Sequence, residues 1–345
     1  MTTQNGATAA TSRTADPIAA HRRILGRVVG RERELELVLA AVDAGRDLLL
    51  EGPPGTSKTT ILKAVTAEWG IPLVFVEGNA DLTPGKLVGH HDPSRVLRED
   101  YSAENFVAGP LVEAMRSGGF LYVEELNRAP EDTLNSLLTA MADRTVQVPR
   151  VGTVTALPTF RVVASMNPYD NVGTTRLSTS ILDRFNRVVV GYQDAAAEER
   201  IVALRAGLAG GDGSAGAPPG DDGVRPADGA LRGDGALPPD GTLARRLVAD
   251  AVAVTRATRE HEDVRQGSSV RGAIDLALVA ERLTTMRGIV EPEDERYPET
   301  FYDAMTVALS GRILVDEAVG TTPERVLRQI WEDRFVLGPA TAGPG

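Results

Sequence analysis

The segment GPPGTSKT at residues 52–59 constrains the fold of this chain more than any other feature. It follows the apolar run RDLLLE at 46–51 and opens the helical pattern TTILKAVTAEWG at 59–70. A glycine-rich turn between a buried strand and a helix N-terminus directs backbone N–H groups at phosphate oxygens. Lys58 is then expected to reach the β- and γ-phosphates, and Thr59 to hold Mg²⁺ through its hydroxyl. The predicted nucleotide contacts are Gly52, Pro53, Pro54, Gly55, Thr56, Ser57, Lys58, Thr59 and Thr60.

One residue of this loop departs from the usual phosphate-loop pattern, in which glycine occupies the position of Ser57. The serine adds a side chain close to the phosphates but leaves the lysine, the threonine and the turn glycines in place. The alternative interpretation is a Gly/Pro turn before an ordinary helix. The strand before the loop and the helix after it favour the phosphate-binding interpretation.

Strand and helix patterns alternate on both sides of the loop. The apolar strand patterns are IPLVFVEG at 71–78, FLYVEE at 120–125 and TFRVVASMN at 159–167. The helical patterns are RERELELVLAAVDA at 31–44, LVEAMRSGG at 111–119 and EDTLNSLLTAMAD at 131–143. This alternation predicts an α/β fold with a mostly parallel sheet covered by helices on both faces. The segment TVQVPRVGTVTALPT at 145–159 interrupts it and predicts a projecting β-hairpin.

Changes in composition divide the chain into segments. Residues 1–18 are predicted to be disordered, and 19–208 to form the α/β nucleotide-binding domain. Residues 209–241 are so rich in Gly, Pro and Asp that they predict a linker or insertion without a packed core. Residues 242–335 predict a small all-helical lid domain without strands, and 336–345 a flexible tail. The predicted lid helices span 243–260, 269–287, 299–315 and 322–333.

Charge and composition exclude several classes of function. The net charge of −11 disfavours broad binding to nucleic acid, and an aromatic content of 4% offers few stacking platforms for a strand. No cysteine is present, which excludes disulfides and thiolate metal sites and fits a reducing compartment. We find neither a signal-peptide pattern nor an apolar segment long enough to span a bilayer. We therefore expect a cytoplasmic protein with no membrane insertion.

Two polar strand ends follow the loop in the sequence. FLYVEE ends in Glu124 and Glu125, and the later strand ends in Asn167. In a parallel sheet these ends lie beside the phosphate loop. Glu124 is then expected in the Mg²⁺ shell, Glu125 to polarise the attacking water, and Asn167 to hold that water or touch the γ-phosphate. Taken alone, the two acids are more often a solvated strand end, and Asn-Pro a turn.

The run His90, His91 and Asp92 invites comparison with a metal site. Neighbouring side chains diverge in an extended chain, and no third and fourth ligands with suitable spacing are evident. The sequence therefore favours a loop here.

Five motifs in order carry a family resemblance. GPPGTSKT, VEELNRAP, VVASMNPYD, LDRFNR and SSVRGAIDLA resemble the P-loop, Walker B, sensor 1, arginine-finger and sensor 2 segments of AAA+ ATPases, in particular the MoxR branch. The resemblance runs from about residue 28 to 313 and implies a P-loop NTPase core with a helical lid. VEELNRAP and GPPGTSKT also resemble the MoxR-type chaperones that accompany carbon monoxide dehydrogenase maturation.

The resemblance implies roles for individual residues. Glu125 becomes the catalytic glutamate, Asn167 sensor 1 and Arg271 sensor 2. Arg184 becomes the finger that enters the neighbouring subunit's site, where a guanidinium neutralises charge on the γ-phosphate. The family usually has Asp at the position of Glu124; the longer side chain can still serve the Mg²⁺ shell, with a changed hydrolysis rate as the expected consequence. Val29 and Gly30 lie in a segment that resembles the family's adenine-side contact.

Alternative interpretations exist for the arginines. Arg184 also fits a helix-terminal residue that pairs with Asp183 or with the helix dipole. Arg271 also fits an exposed helix arginine. Arg128 and Arg187 are further candidates for a subunit interface.

The resemblance also implies partners. A finger acting in trans requires an oligomer, and the family implies a hexameric ring that uses ATP and Mg²⁺. The leading hypothesis is a chaperone that remodels a metalloenzyme or another client with a von Willebrand A-domain protein, with metal insertion as one outcome. The alternatives are a nucleic-acid-stimulated motor and a nucleotide-gated scaffold with little hydrolysis. In this family, 86–110 and the 145–160 hairpin would line a central pore.

Overall fold

The computed structural model describes residues 17–99, 102–168, 177–208 and 241–338. These residues form two compact units. The first comprises the chain up to Gly52 together with Lys58–Val190, and the second comprises Pro53–Ser57 together with the chain from Gly191 onward. Most of the predicted disordered N-terminus (1–16), the predicted linker (209–240) and the predicted tail (339–345) lies outside the described residues.

The first unit alternates helices and strands. Its helices are α1 (Pro17–Leu25), α2 (Glu32–Asp43), α3 (Lys58–Trp69), α4 (Pro84–Val88), α5 (Pro93–Glu99), α6 (Pro110–Ser117), α7 (Glu131–Asp143) and α8 (Thr179–Leu182). Its strands are β1 (Leu48–Glu51), β2 (Leu73–Glu77), β3 (Gly89–His91), β4 (Phe106–Ala108), β5 (Phe120–Glu124), β6 (Thr145–Val148), β7 (Gly152–Thr155), β8 (Arg161–Met166) and β9 (Asn186–Val189). Helix α1 begins at Pro17, so residues 17 and 18 are helical rather than disordered.

A parallel sheet forms the centre of this unit and confirms the predicted α/β class. Among the described residues its strand order is β2-β5-β8-β1-β9, and each neighbouring pair is parallel. The edge strand β9 was not predicted, because its short sequence NRVV was considered only as part of the LDRFNR motif. Its pairing with β1 makes β1 an interior strand of the sheet.

The leucines of β1 show why this segment is an interior strand. Leu48, Leu49 and Leu50 are all buried. Leu49 packs in the cluster that includes residues of α6 and α7, whereas Leu48 and Leu50 pack in the cluster that includes residues of α2 and α3. Successive strand residues point to opposite faces, so helices cover the sheet on both sides.

Asp47 ties together the elements that meet where β1 begins. Its carboxylate accepts hydrogen bonds from the Val162 backbone N–H at 2.8 Å and from Arg144 Nη2 at 2.8 Å. Its carbonyl accepts from the Asn186 N–H at 2.9 Å. Burial raises the pKa of Asp47, while the Val162 N–H and the Arg144 charge oppose that rise. Asp47 thus connects the start of β1 to β8 and the end of α7 through its carboxylate, and to β9 through its backbone carbonyl.

Two short antiparallel sheets lie outside the main sheet. Strands β6 and β7 form the predicted hairpin, with Arg150 and Gly152 at positive φ in its turn. Strands β3 and β4 pair with each other, so His90 and His91 belong to a strand, and the expectation of a loop there is wrong. The ring of His91 packs edge-on against the ring of Phe106 on the partner strand, with 5.5 Å between the ring centroids. This contact indicates a packing role for His91.

The second unit is mainly helical. Its elements are α9 (Ala195–Ala206), α10 (Thr242–Glu260), β10 (Val264–Gln266), α11 (Val270–Met286), α12 (Tyr297–Leu309), β11 (Leu314–Val315) and α13 (Pro323–Phe335). The prediction of an all-helical lid is wrong, because β10 and β11 form an antiparallel pair. Helix α12 ends at Leu309 rather than at the predicted residue 315. Helix α9 shares a buried apolar cluster with α10 and α11 through Val202, so the unit begins at Gly191 rather than after residue 208.

A buried carboxylate also organises the second unit. Asp250 on α10 is fully buried and accepts hydrogen bonds from Arg246 Nε at 2.6 Å, Tyr297 OH at 2.9 Å and Arg334 Nη2 at 2.6 Å. Tyr297 lies on α12 and Arg334 on α13, so one side chain links three helices. Burial, followed by the neighbouring Asp250 charge, raises the pKa of Tyr297, which keeps its hydroxyl protonated as a donor.

We predict that Arg144→Ala lowers the free energy of unfolding by about 3 kcal/mol at pH 7, because it leaves the buried Asp47 carboxylate without its cation. The folded-state pKa of Asp47 is already raised, and losing Arg144 raises it further. The charged carboxylate therefore costs stability above that pKa, and the loss should shrink as the pH falls and Asp47 becomes protonated. Urea unfolding at pH 7 and pH 4 measures both values.

The matched control is Arg150→Ala, since Arg150 also has positive φ and is exposed in the hairpin turn. It removes the same charge and introduces the same backbone mismatch without uncovering a buried carboxylate. Equal losses for the two variants, or a loss that is independent of pH, would contradict the role given to Asp47.

Asp250→Asn is expected to destabilise the second unit by about 3 kcal/mol, because two guanidinium groups would then face a neutral amide. Asp275→Asn, which breaks the exposed Asp275–Arg312 pair, should change stability by less than about 1 kcal/mol. Thermal unfolding of both variants measures the difference. A loss of similar size in both would argue against a special role for Asp250.

Candidate nucleotide-binding site

The carboxyl ends of the parallel strands bring the predicted polar residues of the first unit to one edge of its sheet. β1 ends before Gly52, β5 ends at Glu124, and β8 ends one residue before Asn167. The Gly52 N–H donates to the Met166 carbonyl at 3.1 Å, so the start of the loop lies beside the end of β8. Open α/β sheets bind ligands at this edge.

Lys58 begins helix α3 and turns back toward the start of the loop. Its Nζ donates to the Gly52 carbonyl at 2.9 Å. This contact brings the ammonium group back to the residue that follows the end of β1. Thr60 follows on the same helix and is half-buried. Positive charge beside helix N–H groups suits an anionic ligand.

Thr59 lies beside the acidic end of β5. Its Oγ1 donates to Glu124 Oε1 at 3.3 Å. Hydroxyl and carboxylate oxygens are among the oxygen ligands that Mg²⁺ prefers. The longer side chain of Glu124, compared with the family's usual Asp, therefore still reaches the threonine, and the residues present fit a Mg²⁺ ion bound with the nucleotide.

Two buried hydroxyls that the sequence analysis did not single out lie beneath Thr59. Tyr122 OH is 3.1 Å from Thr59 Oγ1 and donates to Ser165 Oγ at 3.0 Å. Burial, followed by the nearby Glu124 charge, raises the pKa of Tyr122 to about 12, so the phenol stays protonated at neutral pH. The signal available in the sequence was a tyrosine and a serine inside otherwise mostly apolar strands.

Glu125 has an uncommon backbone conformation. Its φ of 53° and ψ of 46° lie in the left-handed region, directly after β5 ends. Its Oε2 is 3.1 Å from Arg128 Nε, and both side chains are partly exposed. Gly78 passes so closely that an added Cβ would collide with the Glu125 carbonyl. The turn directs the Glu125 side chain away from the path of the strand, and backbone outliers of this kind concentrate at functional sites.

Ser57 also has a left-handed backbone, with φ of 65°. Glycine adopts that region without steric cost, which gives the physical reason for glycine in the usual motif. In the second unit, Gln193 Nε2 donates to Ser57 Oγ at 3.4 Å. The serine therefore keeps the loop conformation at the expense of backbone strain and orients its hydroxyl toward Gln193.

The loop residues of the second unit also approach helix α11. Thr56 is buried, and its Oγ1 donates to the Pro53 carbonyl at 2.9 Å. An added Cβ on Gly55 would lie 2.6 Å from Ser269 Oγ and 3.8 Å from Arg271 Cγ, so only glycine fits there. The exposed Arg271 thus lies in the first turn of α11, close to the turn of the loop.

The remaining predicted residues occupy separate parts of the first unit. Asn167 is half-buried at the end of β8. Val29 and the positive-φ Gly30 follow α1 beside Val28, which packs in one apolar cluster with Ile61 of α3. The segment predicted to contact adenine therefore lies on the same side of the sheet as the helix that follows the loop.

Arg184 is exposed just after α8, and its side chain makes no hydrogen bond or ion pair with the described residues. The alternative pairing with Asp183 is therefore not formed there. Arg187 on β9 instead contacts the Glu51 carboxylate, and Arg128 contacts Glu125. Of these three arginines, Arg184 alone has its guanidinium without a described partner.

Two further classes of site were tested in the described ranges. No group of His, Cys, Asp and Glu side chains there could hold a metal ion as a cluster, and His90 and His91 form none. None of the helices in those ranges combines the length and apolar character needed to cross a membrane.

Ser57→Gly is predicted to raise the free energy of unfolding by up to about 1 kcal/mol, because glycine removes the strain of a left-handed serine while costing some unfolded-state entropy. Ser57→Ala is the matched control, since it removes the hydroxyl but keeps the Cβ. Chemical denaturation of both variants measures the effect. A gain in the alanine variant as well would show that the hydroxyl, rather than the backbone, is the source of the strain.

The sequence of this chain is similar to a known domain family and to known proteins. Residues 47–185 match the family described as AAA domain (dynein-related subfamily). The chain is similar to Chaperone MoxR1 of Mycobacterium tuberculosis, with 27% identity over 316 residues that cover 85% of this chain and 78% of that protein. It is also similar to the uncharacterized protein YojN of Bacillus subtilis, with 31% identity over 51% of this chain and 59% of that relative's length.

Among solved structures, a candidate ATPase from Cytophaga hutchinsonii has a TM-score of 0.46 and 20% identity, covering 90% of this chain and 92% of its own. The RuvB Holliday junction branch migration motor of Thermotoga maritima has a TM-score of 0.45 and 16% identity, covering 81% and 70%.

The family match includes β1, the start of the phosphate loop, the acidic end of β5, Asn167 and Arg184. It supports the AAA+ resemblance of the motifs that lie within residues 47–185, and the similarity to MoxR1 extends beyond that matched segment. Residues 47–185 thus match the AAA domain (dynein-related subfamily), within a chain that is similar to a MoxR chaperone over most of its length.

Proposed function

We propose that this protein is an ATP-hydrolysing AAA+ chaperone of the MoxR type, which acts as an oligomeric ring to remodel a protein client. The observation that carries the proposal is the contact between Thr59 Oγ1 and Glu124 Oε1, which are 3.3 Å apart. Thr59 directly follows Lys58, and Glu124 lies at the carboxyl edge of the parallel sheet. AAA domains use this combination of a phosphate loop and an acidic strand end for nucleotide chemistry.

In this proposal the loop binds and orients the triphosphate. The backbone N–H groups at the start of α3 and the Lys58 ammonium supply positive potential to the phosphates. Thr59 and Glu124 would hold Mg²⁺, which neutralises charge on the β- and γ-phosphate oxygens when it is bound. Val29 and Gly30 contact the adenine side.

Glu125 acts on water in this proposal. Its carboxylate accepts a proton from the water that attacks the γ-phosphate, and the positive-φ turn and Arg128 hold the carboxylate in place. Asn167, at the end of the neighbouring strand β8, orients the same water through its amide. The pairing of β5 with β8 supports this division of roles, because it brings both strand ends to one edge.

The exposed Arg184 supports an oligomer. An arginine without a partner among the described residues is available to a neighbouring subunit, where a guanidinium stabilises the charge that develops on the transferred phosphoryl group. Arg271 has the sensor 2 role that the family resemblance implies. We propose a homo-hexamer, in which each site is completed by the adjacent copy.

The client and partner belong to this proposal as well. MoxR1, to which the chain is similar, is named as a chaperone, which supports a protein client here. A von Willebrand A-domain partner, maturation of a metalloenzyme and metal insertion are its finer parts. We place the protein in the cytoplasm, since its cysteine-free sequence suits a reducing compartment.

A second candidate is a nucleotide-gated scaffold that binds ATP and hardly hydrolyses it. Two departures from the usual motifs favour it: Ser57, which strains the loop with a φ of 65°, and glutamate in place of the usual aspartate at position 124. Turnover measurements distinguish this candidate from the motor.

The test is ATP turnover across protein concentration, with oligomer mass followed in parallel. We expect turnover per subunit to rise with assembly, because Arg184 acts in trans. Glu125→Gln should lower turnover by at least about 100-fold while nucleotide binding persists, since the amide cannot accept the proton. Arg184→Ala should lower it by about 1000-fold.

Matched controls come from helix α6, where Glu113 and Arg116 are both exposed. Glu113→Gln and Arg116→Ala remove the same charges away from the strand ends and should leave turnover within about twofold, as expected for surface substitutions. Nucleotide binding without turnover in any assembled state would reject the motor and leave the scaffold. Turnover that is independent of concentration and of Arg184 would reject the ring.

A further inference from the structure

Three hydroxyl groups form a chain beneath the phosphate loop. Thr59 Oγ1 lies 3.1 Å from Tyr122 OH, which donates to Ser165 Oγ at 3.0 Å. Glu124 Oε1 lies at the other end of the chain, 3.3 Å from Thr59 Oγ1. Tyr122 and Ser165 are buried, whereas Thr59 and Glu124 are half-buried at the edge of the sheet. The chain thus runs from the protein interior to the predicted metal ligands.

Two acceptors compete for the single proton of the Thr59 hydroxyl. Tyr122 has one proton and gives it to Ser165, so its oxygen can only accept from Thr59. Thr59 also has one proton, and two acceptors lie within reach, the Tyr122 phenol and the Glu124 carboxylate. When that proton points to Glu124, it occupies a carboxylate oxygen. When it points to Tyr122, both the carboxylate and the outward lone pair of the threonine are available.

We propose that Tyr122 is a positioning residue that accepts a hydrogen bond from the Thr59 hydroxyl, so that Thr59 and Glu124 can both present oxygen lone pairs to a divalent cation. This inference rests on the proposed nucleotide site and assigns no contact between Tyr122 and the nucleotide. Ser165 contributes by accepting the hydrogen bond that the Tyr122 hydroxyl donates. The phenol oxygen can then act only as an acceptor toward Thr59.

The packing holds the phenol in this position. The Tyr122 ring is fully buried and meets the ring of Phe75 edge-on at 5.8 Å between centroids. Tyr122 lies opposite Val163 in the parallel pairing of β5 with β8, which brings Ser165, two residues further along β8, to the same face. Because both strands lie inside the sheet, the acceptor direction is fixed before any ligand arrives.

The longer side chain of Glu124 makes such a device useful in this chain. Its carboxylate reaches the Thr59 hydroxyl directly at 3.3 Å, so the two metal ligands engage each other. An alternative acceptor for the threonine proton separates them without loss of a hydrogen bond. Tyr122 and Ser165 thereby offset the departure from aspartate at position 124.

The test is a magnesium titration of nucleotide binding. A fluorescent ADP analogue is bound to the full chain in EDTA and then titrated with Mg²⁺, for the wild type and for Tyr122→Phe. We expect the magnesium concentration at half-saturation to rise about tenfold in the variant, the effect of losing one hydrogen bond, while the affinity in EDTA stays within about twofold. A purely structural role would change both affinities together.

Two further variants make the result specific. Tyr297→Phe removes a second buried phenol, the one bonded to Asp250, and should lower stability without changing the magnesium midpoint. Ser165→Ala frees the Tyr122 proton to point at the Thr59 oxygen, so the midpoint should rise in the same direction. If Tyr122→Phe fails to fold, Ser165→Ala alone decides the question.

The outcomes separate this inference from the proposed function. If the wild type binds no nucleotide, or binds it without any dependence on magnesium, the nucleotide site itself is wrong and both proposals fail. If the wild type responds to magnesium and both Tyr122→Phe and Ser165→Ala respond identically, the site stands and the positioning role of Tyr122 is overturned.

Discussion

The parallel pairing of β1 with β8 on one side and β9 on the other is the constraint on which the candidate site depends. Three buried leucines make β1 a strand that must lie inside a sheet, and Asp47 fixes the start of that strand. The end of β1 then delivers the phosphate loop to the edge where β5 and β8 also end. The polar groups of the first unit therefore converge because apolar side chains direct the strands.

Buried carboxylates with arginine partners occur in both units. Asp47 binds Arg144 in the first unit, and Asp250 binds Arg246 and Arg334 in the second. Glu198 on α9 is likewise buried, with Arg256 and Arg259 of α10 at 3.4 Å and 2.7 Å. Such pairs contribute little net stability compared with apolar packing, but their geometry is specific. They select one arrangement of helices and strands that are otherwise held by non-directional contacts.

The sequence predicted the elements with strong periodic patterns, including β1, β5, β8, α7 and the β6–β7 hairpin, because local spacing determines them. It missed β9, whose four residues form a strand only beside β1. It also missed β10 and β11, because pairs so short depend on tertiary contacts. The candidate ligands Lys58, Thr59 and Glu124 followed from motif order. The hydroxyls of Tyr122 and Ser165 did not, since their proximity arises from the register of β5 against β8.

The left-handed backbone of Glu125 carries a consequence for how this position evolves. Glycine and asparagine adopt a φ of 53° most readily, whereas glutamate raises the conformational energy of the folded chain by about 1 kcal/mol. Selection for stability alone would replace the glutamate. If Glu125 has the water-activating role proposed above, stabilising substitutions at this position are expected to trade activity for stability.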